Sequence, residues 1–218
     1  KMQALTKKID AVIEAEVSKS SKITEMGVAR IISQNIPKGH GLFLANSMPI
    51  RDMDMYADFQ GNAVTVGANR GASGIDGLIA TACGFSKGLK QPTTLVIGDM
   101  AVLHDLNSLS MIKDSKQPIT IITINNDGSA IFSFLPIASF KNVFEDYFGT
   151  PHGFTFESAA KMFGLNYYNP KTSKEFLDIY HKSVQGKQST FIEINTDRPH
   201  NFDLHRKLQE KIKTAIAR

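Results

Sequence analysis

Two polar side chains follow two consecutive apolar runs of the sequence, at the point where each run ends. Asp99 comes directly after residues 94–98, and Asn126 comes after residues 121–125. One strand–helix–strand unit separates them, so both side chains can converge at one edge of a parallel sheet. A carboxylate, an amide oxygen and the carbonyl of Gly128 would give a hard divalent cation three oxygen ligands, with room left for phosphate oxygens and water. Taken singly, Asp99 also suits a helix cap and Asn126 an Asx turn, but their joint spacing favours a magnesium site that holds a diphosphate.

A glycine-rich segment follows an earlier apolar run. Its glycines at positions 71, 74 and 77 are spaced G-x-x-G-x-x-G. This is neither the G-x-G-x-x-G pattern of dinucleotide-binding proteins nor a Walker loop with its terminal Gly-Lys-Ser/Thr. The spacing therefore disfavours a nicotinamide dehydrogenase and a P-loop nucleotidase.

The elements that must position these residues alternate along the chain. Short apolar, β-branched runs at 42–45, 64–66, 94–97, 119–124 and 191–194, with a weaker one at 165–168, are typical of strands buried on both faces. Helical patterns lie near 75–88, 103–113, 156–163 and 173–184; two further helices precede the first strand, and one ends the chain. The alternation predicts an α/β fold with a mostly parallel six-stranded sheet and helices on both faces.

The composition excludes several classes of protein. The 218 residues are 42% hydrophobic, enough for a sizeable core, and the single cysteine cannot form an internal disulfide. No apolar stretch approaches the roughly 20 residues of a membrane-spanning helix. The net charge of +4 is mild, and the basic residues near the C-terminus have no interleaved aromatic residues for base stacking. We therefore expect a cytoplasmic protein that neither binds nucleic acid nor inserts into a membrane.

The spacing of Gly98-Asp99 and Asn125-Asn126 resembles the cofactor-binding motif of thiamine-diphosphate-dependent decarboxylases and acetohydroxyacid synthases, with Met100 where most members have glycine. Further blocks resemble one family in this group, the 2-succinyl-5-enolpyruvyl-6-hydroxy-3-cyclohexene-1-carboxylate synthases of menaquinone biosynthesis. These blocks are NSMPIRDMD (46–54), ANRGASGIDG (68–77), HDLN (104–107), NNDG (125–128), IFSFLP (131–136), FGTPHG (148–153) and LHR (204–206). The resemblance runs from about residue 23 to the C-terminus.

The resemblance covers the C-terminal third of that family. It implies a cofactor-binding domain over 23–218, preceded by an N-terminal helix or interdomain segment over 1–22. In such enzymes the glutamate that activates the cofactor belongs to an N-terminal pyrimidine-binding domain, contributed by a second subunit. No counterpart of that glutamate is visible here, so we assign no catalytic residue to these 218 residues. We expect the piece by itself to fold and to be inactive, and the whole enzyme to be a homo-oligomer.

By resemblance, the metal ligands are Asp99, Asn126 and the Gly128 carbonyl, and the metal is Mg²⁺ or Mn²⁺. The diphosphate would meet Gly98, Asp99, Met100, Asn126 and Ser129. Ile75 aligns with the bulky apolar residue that supports thiamine diphosphate in its bent conformation; its place among glycines at a helix start favours this role over the alternative of ordinary helix core.

The family decarboxylates 2-oxoglutarate and adds the succinyl carbanion to isochorismate. Because both substrates are polyanions, the resemblance assigns Arg51 and Arg70 to their carboxylates, with a hydroxyl contribution from Ser47. An apolar wall for the isochorismate ring would be formed by Ile131, Phe132 and Leu135. The alternative is that these residues pack in the core. Ion pairing of Arg51 with Asp52 or Asp54 is the alternative for that arginine.

Two alternatives to this function stay open. A relative could use the same cofactor on another 2-oxo acid, or the domain could be a binding module without turnover. Neutral acceptors would not need Arg51 and Arg70.

Adjacent residues such as His104 and Asp105 point about 100° apart on a helix and cannot serve one proton, while the role of His152 stays open.

Overall fold

The computed structural model describes residues 2–19, 21–113 and 115–217. Lys1, which begins the predicted segment 1–22, and Arg218, which ends the predicted domain 23–218, lie outside the described residues. The strands are β1 (Gly41–Leu44), β2 (Thr65–Gly67), β3 (Thr93–Gly98), β4 (Ile119–Asn125), β5 (Asn166–Tyr168) and β6 (Thr190–Asn195). The α-helices are α1 (Met2–Val17), α2 (Glu25–Asn35), α3 (Met48–Tyr56), α4 (Leu78–Leu89), α5 (Asp99–His104), α6 (Leu109–Lys113), α7 (Lys141–Phe144), α8 (Glu157–Met162), α9 (Ser173–Gln185) and α10 (Arg198–Ile216). Tighter 3₁₀ turns occupy Leu106–Ser108, Ala130–Phe134 and Pro136–Ser139.

The six strands form one sheet in the order β2-β1-β3-β4-β6-β5, and every neighbouring pair is parallel. The predicted fold class is confirmed, and the described sheet is parallel throughout. The chain reverses its direction of travel across the sheet between β1 and β3. Beyond the carboxyl ends of the strands, such a reversal opens a crevice in which ligands bind.

The core lies on both faces of the sheet. β4 is buried along its whole length and β3 along all but its last residue, which explains their uninterrupted apolar sequences. One face packs beneath α1, α2, α9 and α10, and the other beneath α4, α5, α6 and α8. Ile13 of α1 is buried in the first of these layers, so the N-terminal helix shares the core of the domain that follows it. Within the described residues, no helix is long and apolar enough to cross a membrane.

Two predicted helices differ in the structure. The pattern over 103–113 divides into α5, a 3₁₀ turn and α6, and α5 begins at Asp99, directly after β3. The helix predicted from 75 begins at Leu78, because Gly77 adopts a left-handed conformation (φ 67°) and ends the glycine-rich loop. A further helix, α3, was not predicted; Pro49 stands in its first turn, where the missing N–H costs nothing.

Candidate functional site

A cavity of about 340 Å³ opens at the carboxyl edge of the sheet, beside β1, β3 and β4. The predicted site residues that line it are Ser47, Arg51, Arg70, Ile75, Gly98, Asp99, Met100, Asn126, Gly128, Ser129, Ile131 and Phe132. They come from four separate loops that follow four strands. The parallel sheet thus brings together segments that lie far apart in the sequence.

Asp99 is buried at the start of α5, with 2% of its surface exposed. Its Oδ1 accepts the Met100 N–H at 2.7 Å, and its Oδ2 accepts the Gly128 N–H at 2.9 Å. Burial raises the pKa of this carboxyl group, while the two amides and His152 oppose that rise. A divalent cation beside Asp99 would offset the cost of burying the carboxylate.

Only one of the two polar side-chain atoms of Asn126 has a hydrogen-bond partner among the described residues. Its Nδ2 donates to Glu25 Oε1 at 3.0 Å, whereas its Oδ1 is buried and has no hydrogen-bond partner among the described residues. Leaving a buried amide oxygen unpaired costs about 1–3 kcal/mol. An amide oxygen is a suitable ligand for a hard cation, so the residues of this site fit the predicted metal.

Gly128 brings a second loop to the site. A Cβ atom at this position would collide with the Gly149 carbonyl oxygen, and its φ of 129° is a conformation that favours glycine. The Ser129 N–H donates to the same Gly149 carbonyl at 2.8 Å. The Gly128 carbonyl accepts the Ala130 N–H at 3.2 Å and keeps one lone pair for another partner.

His152 comes from the loop after Gly149 and approaches Asp99 from the side. Its Nε2 lies 3.1 Å from Asp99 Oδ2, and its Nδ1 accepts the Phe154 N–H at 2.9 Å. The sequence left the role of this histidine open. It contacts the predicted metal ligand directly.

Arg51 and Arg70 lie on the cavity wall with exposed side chains. Arg51 Nη1 donates to the Ser47 carbonyl at 2.6 Å, and Arg70 Nη1 lies 3.2 Å from Asn46 Oδ1. Neither guanidinium forms an ion pair with any carboxylate that the structure describes. The alternative pairing of Arg51 with Asp52 is not formed, because Asp52 is buried against His205.

Ser47 is held in an uncommon backbone conformation, with φ 72° and ψ −133°. Such a conformation costs roughly 1–3 kcal/mol for a residue other than glycine and concentrates at functional sites. It places Ser47 on the cavity wall at the start of α3, ahead of Arg51.

The apolar residues of the site divide into two groups. Ile75, Ile131 and Phe132 line the cavity, and Phe132 packs edge-on against Phe148 with ring centroids 5.5 Å apart. Leu135 does not line it: the 3₁₀ turn ends at Phe134, and the Leu135 side chain is 47% exposed. The structure thus does not bring Leu135 to the predicted apolar wall.

Glu25 is a charged residue of the site that the sequence did not reveal. It begins α2 after the Thr24 N-cap, is 2% exposed, and lines the cavity beside Asp99. Burial raises its pKa, and the nearby Asp99 carboxylate adds to the rise. An acidic residue in the first turn of a helix is ordinary, so no local signal in the sequence marked it.

Asp105 has a structural role. Its Oδ2 accepts the N–H groups of Ile79 and Ala80 at the start of α4, at 2.7 and 3.1 Å, while His104 is exposed. The two side chains therefore have separate surroundings, and Asp105 follows the last residue of α5 rather than sharing a helix with His104.

The fold and this cavity define a cofactor-binding domain of the thiamine diphosphate (thiamine pyrophosphate) enzymes. Residues 52–194 match the family described as "Thiamine pyrophosphate enzyme, C-terminal TPP binding domain", and the chain belongs to that family. A solved structure with the same fold is the thiamine diphosphate-dependent 4-hydroxybenzoylformate decarboxylase of Rhodococcus jostii. It has a TM-score of 0.67 at 16% identity over 83% of this chain and 34% of that one.

Within this class the sequence is similar to the 2-succinyl-5-enolpyruvyl-6-hydroxy-3-cyclohexene-1-carboxylate synthases, which confirms the predicted resemblance. The enzyme of Rubrobacter xylanophilus is 50% identical over 196 residues, which are 90% of this chain and 34% of that protein. The enzyme of Chlorobium phaeobacteroides is 44% identical over 219 residues, which are 100% of this chain and 38% of that protein. The chain thus spans little more than a third of the length of these relatives.

Proposed function

We propose that this domain holds thiamine diphosphate and a divalent cation in a synthase that removes CO₂ from 2-oxoglutarate and joins the remaining succinyl unit to isochorismate. The observation that carries the proposal is the composition of one cavity. It combines the proposed oxygen ligands Asp99 and Asn126 with two arginines, Arg51 and Arg70, that form no ion pair with a described carboxylate. The similarity of the chain to 2-succinyl-5-enolpyruvyl-6-hydroxy-3-cyclohexene-1-carboxylate synthases supports the choice of substrates.

Asp99, the Asn126 Oδ1 and the Gly128 carbonyl would hold Mg²⁺ or Mn²⁺ in this site, and the cation would neutralise a diphosphate. Gly98, Met100 and Ser129 line the same part of the cavity and would contact the diphosphate. Ile75 would support the cofactor from the glycine-rich loop. Once bound, the cofactor supplies the electron sink that decarboxylation and carbon–carbon bond formation require.

The chain's own contribution to the reaction is orientation and charge. Arg51 and Arg70 would each bind a substrate carboxylate through the two parallel N–H groups of the guanidinium. Arg51 stands one turn after Ser47, whose hydroxyl would add a donor for the same substrate. Ile131 and Phe132 would shield the ring from water, which strengthens the charged contacts inside the cavity.

The proposal includes a second component that the chain does not contain. The carboxylate that activates the cofactor would come from a pyrimidine-binding domain, contributed across a homo-oligomer interface, and the enzyme would work in the cytoplasm. The cavity opens at the sheet edge, where such a partner domain would complete it.

The test is a product analysis with the full-length protein, thiamine diphosphate and Mg²⁺. 2-Oxoglutarate and isochorismate together should give CO₂ and a product with the mass of both substrates less CO₂. Asp99→Ala should abolish this product, while Asp54→Ala, which changes an exposed carboxylate of α3, should leave it unchanged. Turnover of pyruvate in preference to 2-oxoglutarate would favour a relative that acts on another 2-oxo acid.

A further inference from the structure

We propose that His152 is a positioning residue that fixes the orientation of the Asp99 carboxylate and leaves Oδ1 as the oxygen for the cation. The inference rests on the proposed function, because it takes Asp99 as a metal ligand. It concerns a residue that the proposed binding steps do not use. Four observations carry it: the tautomer of His152, its anchoring, its surroundings, and the distribution of donors around Asp99.

The hydrogen bonds of His152 determine its tautomer. Nδ1 faces the Phe154 backbone N–H at 2.9 Å, and a backbone amide can only donate. Nδ1 must therefore be the acceptor, and in the neutral ring the proton lies on Nε2. That Nε2–H donates to Asp99 Oδ2 at 3.1 Å.

The backbone of His152 is anchored to the loop that carries the other proposed ligand. Asp127, the residue after Asn126, accepts the His152 N–H at 2.8 Å and the Gly153 N–H at 2.7 Å through its Oδ1. Asp127 has φ 58°, a left-handed conformation that aspartate tolerates. His152 thus connects the loop of Asn126 to the carboxylate of Asp99.

Aromatic packing fixes the plane of the ring. The His152 side chain is 7% exposed, stacks on Phe154 with centroids 5.5 Å apart, and meets Phe156 edge-on at 6.3 Å. Phe156 is itself a core residue. The imidazole cannot turn away from Asp99 without losing these contacts.

The donors around Asp99 are distributed unequally. Oδ2 accepts two hydrogen bonds, from Gly128 N–H and from His152, which occupy both of its lone pairs. Oδ1 accepts one, from Met100 N–H, and keeps a lone pair. Without the His152 donor, both oxygens would have a free lone pair, and the carboxylate would lose one of the contacts that prevent its rotation. Partners of this kind typically contribute 10–100-fold to metal affinity.

Two substitutions at His152 test the contributions of its two ring nitrogens separately. In His152→Gln the side-chain amide can place a donor where Nε2 lies, and in His152→Asn it can place an acceptor where Nδ1 lies. The experiment measures Mn²⁺ binding to each full-length variant in the presence of thiamine diphosphate, from the electron paramagnetic resonance signal of free Mn²⁺. His152→Asn should weaken Mn²⁺ binding about 10–100-fold, and His152→Gln should restore it to within about threefold of the wild type. Asp99→Ala serves as the reference for a lost ligand.

The outcomes are distinguishable. If Asp99→Ala abolishes Mn²⁺ binding while both His152 variants bind like the wild type, the metal site stands and the role of His152 is overturned. Equal weakening in both variants, or weakening in His152→Gln alone, also overturns it, because the Nε2 donor would not be what matters. If Asp99→Ala binds Mn²⁺ normally, the proposed metal site fails and the inference fails with it. Should His152→Asn not fold, His152→Ala replaces it as the variant without a donor at Nε2, and wild-type Mn²⁺ binding by His152→Ala would overturn the proposal.

Discussion

The buried carboxylate of Glu25 fixes the orientation of the side-chain amide of Asn126. Asn126 Nδ2 donates to Glu25 Oε1 at 3.0 Å, and the Thr196 hydroxyl donates to the same oxygen at 2.8 Å. Three elements, α2 and the ends of β4 and β6, therefore meet at one acceptor. Because the amide nitrogen is committed to Glu25, the amide oxygen of Asn126 is left for a cation.

This relationship predicts the effect of replacing Glu25. Glu25→Leu removes the acceptor of the buried Asn126 amide and of the partly buried Thr196 hydroxyl, and a buried donor left unsatisfied costs about 1–3 kcal/mol. Glu25→Gln keeps an Oε1 acceptor and avoids burying an ionised carboxylate, whose pKa burial already raises. Urea unfolding should show Glu25→Leu to be clearly less stable than the wild type and Glu25→Gln to be at least as stable. Equal destabilisation by both substitutions would contradict the assigned hydrogen bonds.

The two arginines of the cavity should affect substrate kinetics. Arg51→Gln or Arg70→Gln would remove the proposed bidentate contact to a substrate carboxylate, a loss on the order of 2–5 kcal/mol in the activation free energy given by kcat/KM. We expect the loss in the kinetics for 2-oxoglutarate or isochorismate, with cofactor binding by calorimetry unchanged. Lys87→Gln, an exposed cation near the end of α4, is the matched control. Wild-type kinetics for both substrates in both arginine variants would remove these residues from the site.

Cys83 should be chemically inert in the folded protein. It is 7% exposed in the core beneath the sheet, and burial, with a smaller effect of the Asp105 carboxylate, raises the pKa of its thiol to about 11. The reactive thiolate is therefore scarce near neutral pH and increases as the pH rises towards 11. At pH 8 we expect alkylation of Cys83 to be about a hundredfold or more slower than in urea-unfolded protein, measured by mass spectrometry of its peptide. Equal rates in the two states would contradict this burial.

The 218-residue chain by itself should fold without turning over substrate. Its sheet packs between two layers of helices, and both faces have their own core. CO₂ release from 2-oxoglutarate, with saturating thiamine diphosphate and Mg²⁺, should be absent in the fragment and present in the full-length enzyme. Fragment turnover within tenfold of the parent would place the activating carboxylate inside these residues.

Local sequence patterns predicted much of the fold and part of the site. The β-branched runs of β3 and β4 have no polar alternation, so their burial on both faces could be predicted, and with it the parallel sheet. Asp99 and Asn126 were predictable because each follows its strand immediately, and the carboxyl ends of parallel strands share an edge. By contrast, α3 was not predicted. Its sequence, MPIRDMDMY, mixes polar and apolar residues without a clear helical period, and its proline is equally typical of a loop.

Contacts between distant segments decided the rest. Glu25 reaches Asn126 from 101 residues away, and His152 reaches Asp99 from 53 residues away. No local pattern encodes either pair, since each depends on how α2 and the 149–153 loop pack over the sheet edge. The sequence determined which residue types stand at the strand ends, because strand burial and polarity are local properties. Only the tertiary structure decided which atoms of Asp99 and Asn126 remain free to bind a cation, because that depends on donors and acceptors supplied by other parts of the chain.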